Sequence, residues 1–307
     1  MCGQTDVDTA VMEKRTDVPF DVRVVRCGAC GHRYLARWPE TLTLGLYDYY
    51  AAKLDWPEER LFDPLNAARF RTLFASFEKL VAGRRLLDLG CGAGHLVKVA
   101  SEEGWDSLGI DTSAAAVALA QRMRANAQEI DFFDPALDDQ RFDVIVMSEV
   151  IEHIPHPPKF LARAFSLLAP GGLLYATTPN FDSLTRRVVG AEWAAIHPEH
   201  ISYFVTRTLA RAVRQAGFTV ERLSSRNTSP APIVRALRHR ARVEPAGIET
   251  TLVPAAGSSS DAPVPSQRWR RTIRGSKALT ALLDLTNAAL AVGRAGDTLE
   301  VWAVRPR

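Results

Sequence analysis

Residues 84–94 read Arg-Arg-Leu-Leu-Asp-Leu-Gly-Cys-Gly-Ala-Gly. An apolar strand ending in Asp88 runs directly into a turn with glycine at 90, 92 and 94. Glycine suits such a turn because its backbone reaches dihedrals closed to other residues and lets a ligand approach closely. A glycine turn also serves packing alone, so spacing has to decide. His95 stands where a dinucleotide fingerprint would place its third glycine, and that fingerprint serves a pyrophosphate at a helix N-terminus. The pattern here therefore fits a ligand that lacks pyrophosphate. Asp111 closes the next apolar run, 21 residues after Gly90. A carboxylate there can accept both hydroxyls of a ribose; it also stands where it can cap a helix beginning near Ser113.

Working outward, apolar runs at 85–89, 107–111, 129–133, 142–148, 172–178 and 218–224 alternate with helix-spaced segments. Leu161, Ala164, Phe165 and Leu168 mark one helix; Leu209, Ala212, Val213 and Ala216, closed by Gly217, mark another. Strands alternating with helices predict a parallel sheet covered on both faces, an α/β fold. A helix is expected from Asp63-Pro64, with Phe70, Leu73, Phe74, Phe77, Leu80 and Val81 on one side. The divisions expected are a cysteine knuckle at 1–45, a helical lead-in at 46–82 and the core at 83–226. A basic insertion at 227–297, with a mobile linker over 228–270 and a helix near 277–292, then leads to a last strand at 298–305. The arginines at 235, 238, 240, 242, 268, 270, 271 and 274 read as a solvated face or an anionic-partner surface.

Composition narrows the function classes. With 47% hydrophobic and 24% charged residues the chain is an ordinary globular one. A net charge of +3 is too small to argue for nucleic acid or a membrane. The absence of a signal-like apolar stretch and of a spanning segment, with four cysteines in 307 residues, points to a reducing cytoplasm.

Further on come IDFFD at 130–134 and FDVIVMSEVIEHIPHPPKFLARAFSLLAPGGLLYATTPN at 142–180. Together with the glycine turn, these residues resemble the class I methyltransferases that use S-adenosylmethionine, particularly the small-molecule branch with the ubiquinone-pathway O-methyltransferases. The resemblance covers about 80–225. It implies a Rossmann-like seven-stranded sheet, mostly parallel, with the last strand antiparallel. Within it, Gly90, Cys91, Gly92 and Gly94 would shape the methionine end of the donor site, with Asp88 reaching the ammonium. Asp111 would hold the ribose, with Thr112 beside it. Asp131 and Phe132 would flank the adenine, and Met147 and Ser148 would line the pocket.

Three further groups of residues carry possible chemistry. Cys27 and Cys30 have the C-x-x-C spacing of half a zinc site, and Met1-Cys2-Gly3 parallels Ala29-Cys30-Gly31. Methyltransferases of sugars and natural products resemble this arrangement, with a four-cysteine module followed by a segment like Arg37 to Tyr50. Here either a ligand lies upstream, His32 substitutes, or the cysteines are a relic. His197 and His200 lie in a loop where an acceptor should meet the methyl group, either taking its proton or simply packing. Glu149, Glu152 and His153, three and four residues apart, would share one helix face. That pattern is similar to the magnesium site of the ubiquinone-pathway enzymes and small-RNA terminal methyltransferases, with His200 as a further ligand. The alternative is a metal-free wall of the acceptor pocket, His153 included.

The reading is an enzyme that O-methylates a small molecule: a sugar, a glycan intermediate or a phenolic compound. C-methylation of a keto-sugar, RNA ribose methylation and a binding protein that has lost activity are the alternatives. The intact Asp88 and Asp111 argue against the last.

Overall fold

The computed structural model describes residues 9–15, 22–37, 53, 56, 64–227, 232–234, 236 and 295–307. Three N-terminal strands come first: β1 (Thr9–Arg15), β2 (Val22–Cys27) and β3 (Arg33–Leu35). Helix α1 (Pro64–Phe77) leads into β4 (Arg85–Leu89), α2 (His95–Glu102), β5 (Asp106–Asp111), α3 (Ala114–Arg122) and β6 (Ala127–Glu129). Then follow β7 (Phe142–Ser148), α4 (Pro157–Leu167), β8 (Leu168–Pro179) and α5 (Leu184–Val189). The chain closes with β9 (Ser202–Tyr203), α6 (Thr206–Gln215), β10 (Thr219–Arg226) and β11 (Thr298–Val304).

Seven strands form the main sheet in the order β10-β11-β8-β7-β4-β5-β6. The pairs from β8 through to β6 are parallel, and β11 runs antiparallel to both β10 and β8. This is the expected Rossmann-like architecture. The winding goes β4-β5-β6 one way and then β7-β8 the other, so the chain reverses beside β4. Loops leaving the carboxyl ends of β4 and β7 diverge there and leave a crevice, which is where ligands bind in such sheets.

Burial explains the strands. Leu86, Leu87, Val144, Ile145, Val146 and Met147 are wholly buried, as expected of parallel strands covered on both faces. Helix α1 closes one face through Phe77, whose ring meets Tyr175 at 5.5 Å and Trp302 at 5.3 Å. The expected helix ends at Phe77, earlier than its apolar spacing suggested, and Leu80 is exposed. The third strand lies at Ala127–Glu129 rather than 129–133; residues 132–133 form a turn stacked on Phe160. Strand β8 starts at Leu168, the residue expected to close the preceding helix.

A second, smaller sheet has the order β1-β2-β3-β9. The N-terminal strands thus pair with a strand far along the chain, Arg33 opposite Tyr203 and Tyr34 opposite Ser202. Val22, Val24, Leu35, Phe181, Trp193, Ile196 and Tyr203 make its own apolar core. Most of the expected insertion, its arginines and its helix near 277–292 lie outside the described residues.

Gly94 tests the packing of the donor turn. Its φ is +72°, and a Cβ there would lie 2.7 Å from the Cβ atoms of both Ala120 and Ala125. Backbone strain and overpacking together should make Gly94→Ala destabilising by about 2–4 kcal/mol. A urea unfolding midpoint within about 0.5 kcal/mol of wild type would contradict this packing.

Candidate active site

The donor turn is held by backbone and carboxylate together. The amides of Gly90 and Cys91 both donate to the Ile110 carbonyl, at 2.8 and 3.0 Å. Asp111 accepts from the Gly92 amide through Oδ2 and from the Ser113 amide through Oδ1, each at 2.9 Å. One carboxylate thereby fixes the turns after β4 and β5, while Ser113 caps α3 by accepting from the Ala116 amide. The two roles expected of Asp111 are compatible, because amides occupy one lone pair of each oxygen and ribose hydroxyls can use the others. Gly90 (φ +69°) faces Val150 so closely that a Cβ would lie 2.8 Å from that side chain.

Asp88 is buried at the floor of the crevice, and burial, with Asp111 nearby, raises its pKa to about 8. A buried acid beside another acid is stabilised in its ionised form by a cation, and the ammonium expected at the donor's methionine end would be one. Cys91 packs with Val97, Val117, Ala120, Ala125 and Ala127, and burial pushes its thiol pKa up. It is a neutral packing group.

Asp131 is exposed past the end of β6 and accepts from the Phe133 amide at 2.7 Å, while Phe132 is buried beside it. Thr112 is exposed next to Asp111. Met147 is buried completely in the main core, so only its backbone borders the crevice, whereas Ser148 is exposed, its Oγ 3.3 Å from Thr177 Oγ1.

On the acceptor side, Glu149, Glu152 and His153 do not share a helix face. Glu149 sits in the left-handed region (φ +57°), and a single 3₁₀ turn spans Ile151–His153. The side chains of Glu152 and His153 converge with that of His200 all the same, and Glu149 is not part of that group. One ligand atom from each of Glu152, His153 and His200 lies within 4.8 Å of the others, and the two imidazoles meet edge to face at 4.7 Å. Among the described residues this is the one such group of potential metal ligands.

Each imidazole is oriented by a backbone carbonyl: His153 Nδ1 is 2.9 Å from the Glu199 oxygen and His200 Nδ1 is 2.8 Å from that of Ala195. A carbonyl only accepts, so both Nδ1 atoms carry the proton and both Nε2 atoms keep a lone pair. Burial lowers the pKa of both rings, that of His200 to about 3, and keeps them neutral. Glu152 is almost wholly buried. Thr178 Oγ1 donates to its Oε2 at 2.9 Å, and its carboxyl also meets that of Glu149. Burial first, and then the Glu149 charge, raises its pKa well above the ordinary range. Burial also raises that of Glu149, although the open crevice leaves the residue accessible.

His197 is exposed and stands apart from the pair, its ring 6.2 Å from that of His200. Trp193 is buried in the small core. Cys27 and Cys30 flank a tight turn in which the Gly31 amide donates to the Cys27 carbonyl. His32 does not join them: it is buried between Tyr34 and Phe204. Cys2 lies outside the described residues. Sequence reasoning missed Thr178, the carbonyls of Ala195 and Glu199, and the β3–β9 pairing; only the short alternation Ile201–Phe204 hinted at the last.

A family model described as a methyltransferase domain matches residues 59–223. The chain belongs to this family, within the class I S-adenosylmethionine-dependent methyltransferases. A ubiquinone biosynthesis O-methyltransferase of Nitrobacter winogradskyi is 38% identical over 120 residues, which are 37% of this chain and 46% of that protein. The match therefore spans less than half of that relative. One of the same description from Thiobacillus denitrificans is 28% identical over 191 residues, covering 57% and 82% respectively. A crystal structure of an S-adenosylmethionine-dependent methyltransferase from Archaeoglobus fulgidus has the same fold, with TM-score 0.51, 18% identity, and coverage of 84% of this chain and 99% of that one. Among the described residues no helix is long and apolar enough to cross a membrane.

Two measurements probe the donor side. Asp111→Ala should weaken S-adenosylmethionine binding by about 1.5–3 kcal/mol, the range for a charge-assisted hydrogen bond. Unchanged affinity by calorimetry would remove the ribose role. Asp88, with its folded pKa raised from 3.8 to about 8, binds a proton more tightly folded than unfolded. Its contribution to ligand-free stability is therefore present at low pH and lost as pH rises toward 8. Asp88→Asn should gain stability relative to wild type across that window, and a pH-independent difference would show that Asp88 titrates normally.

Proposed function

We propose that the protein transfers the methyl group of S-adenosylmethionine to a hydroxyl of a small molecule, and that Glu149, Glu152, His153 and His200 hold a divalent cation beside that hydroxyl. The observation that carries the reading is the convergence of Glu152 with two imidazoles whose tautomers leave Nε2 as a lone pair. One buried acid, a second acid at the open crevice and two neutral histidines make a donor set that suits a cation. The names of the relatives from Nitrobacter and Thiobacillus agree with O-methylation of a small molecule. Such a cation, when bound, lowers the pKa of an oxygen it contacts.

The chain's own residues do the rest. Asp88, Asp111 and the glycine turn hold the donor's two ends, so that its methyl faces the loop carrying His200. The departing group is a neutral thioether and needs no proton, so alignment is the main task. His197, exposed at the rim, is available to take the proton of the acceptor hydroxyl. Zinc at the knuckle is a separate reading with two cysteines behind it, Cys27 and Cys30, and with His32 turned away.

Methyl transfer from labelled donor to a panel of phenolic and sugar acceptors tests the proposal. Activity should vanish in excess EDTA and return with magnesium, and Glu152→Gln should lose at least about 10–100-fold in kcat/KM. Full activity in EDTA, with Glu152→Gln near wild type, would rule the cation out.

A further inference from the structure

A cleft of about 720 Å³ opens between α6, β10 and the loop after β8, with β3 at its edge. Four guanidinium groups line it, from Arg33, Arg187, Arg207 and Arg214, against the carboxylates of Asp182 and Glu221. None of these residues belongs to the donor crevice or to the Glu152–His153–His200 cluster.

Three of the arginines are exposed, and taken singly they would read as solvated surface. Arg33 is different. Its side chain is only 11% exposed, and among the described residues its one ion pair, from Nη2 to Asp182, is 3.4 Å long. Among the described residues, its Nε and Nη1 are buried with no hydrogen-bond partner. A guanidinium has five donors, and those on Nε and Nη1 are left unmet at the wall of the cleft. Its position is also unfavourable, because Arg26, Arg186 and Arg207 all repel it and, with burial as the larger cause, depress its pKa.

The fold holds these like charges together. Arg33 is fixed by the β3–β9 register opposite Tyr203 and lies 5.1 Å over the Phe181 ring. Arg207 is held against the knuckle turn, where a Cβ on Gly31 would lie 3.2 Å from its Nη2. Helix α6 opens on the same cleft, and its N-cap is Val205, whose side chain has no oxygen to offer the first amides. A like-charged cluster around unmet donors calls for an anion with several acceptor oxygens in a fixed geometry, and phosphate matches the guanidinium fork. The cleft is much larger than one phosphate and falls in the range of small-molecule sites, with Val205 and Leu223 as apolar wall.

We propose that this cleft binds the phosphate or diphosphate group of a small organic molecule. The site stands independently of the methyl acceptor and the cation.

Calorimetry on the full chain with saturating S-adenosylmethionine tests it, using inorganic pyrophosphate and uridine 5′-diphosphate as probes. One pyrophosphate should bind per chain, about tenfold or more weaker in each of Arg33→Gln, Arg207→Gln and Arg214→Gln. Uridine 5′-diphosphate binding more tightly than pyrophosphate would identify an organic diphosphate; equal affinity would identify the free anion. Arg207 and Arg214 are exposed, so those variants keep the fold, and unchanged donor affinity verifies it. No saturable pyrophosphate binding, or binding untouched by the three substitutions, overturns the proposal. An RNA oligonucleotide that binds with steep salt dependence, is lost in the same variants and is not displaced by pyrophosphate overturns it in favour of nucleic acid.

Discussion

The reversal of winding beside β4 is the constraint on which the site depends. Strands β5 and β6 build outward on one side and β7 and β8 on the other, so the loops after β4 and β7 must part. They part by very little. Gly90 and Val150 touch across the gap closely enough that any side chain at 90 would collide. Asp111 then ties the β4 turn to the start of α3 through two amides. A crevice with rigid walls follows from strand order, one glycine and one carboxylate. No part of it depends on a flexible loop.

Charge is distributed with the same economy. The crevice has an acid pair on either side of the expected methyl position, Asp88 with Asp111 and Glu149 with Glu152. Burial raises the pKa of Asp88, Glu149 and Glu152 above their ordinary values. Such groups favour cations, and a sulfonium donor with an ammonium end is one. The arginine cleft beyond β9 has the opposite sign. The molecule therefore presents two regions of opposite electrostatic preference.

Much of this was legible in the sequence, for local reasons. The glycine turn and Asp111 are read from spacing within one βαβ unit, and the strands showed as apolar runs because both faces of the sheet are covered. The failures are also instructive. Residues 130–133 look like strand because they are apolar, yet Phe132 is buried by stacking in a turn. Residues 149–153 have helical spacing, yet left-handed Glu149 breaks the helix and tertiary contacts bring Glu152, His153 and His200 together. Arg33 gave no signal at all. Its burial arises from a register with Tyr203 that only the folded chain contains.

That register has a kinetic side. The donor half of the site is assembled by contacts between neighbours in sequence, from β4 through β6. The acceptor loop is seated by joining residue 33 to residue 203, a closure that spans more than half of the chain. Chain entropy must be spent before such a contact returns anything, so long-range pairing lags behind local structure. The topology thus sets an order of assembly: the glycine turn and its strands can form before the loop carrying His200 is seated.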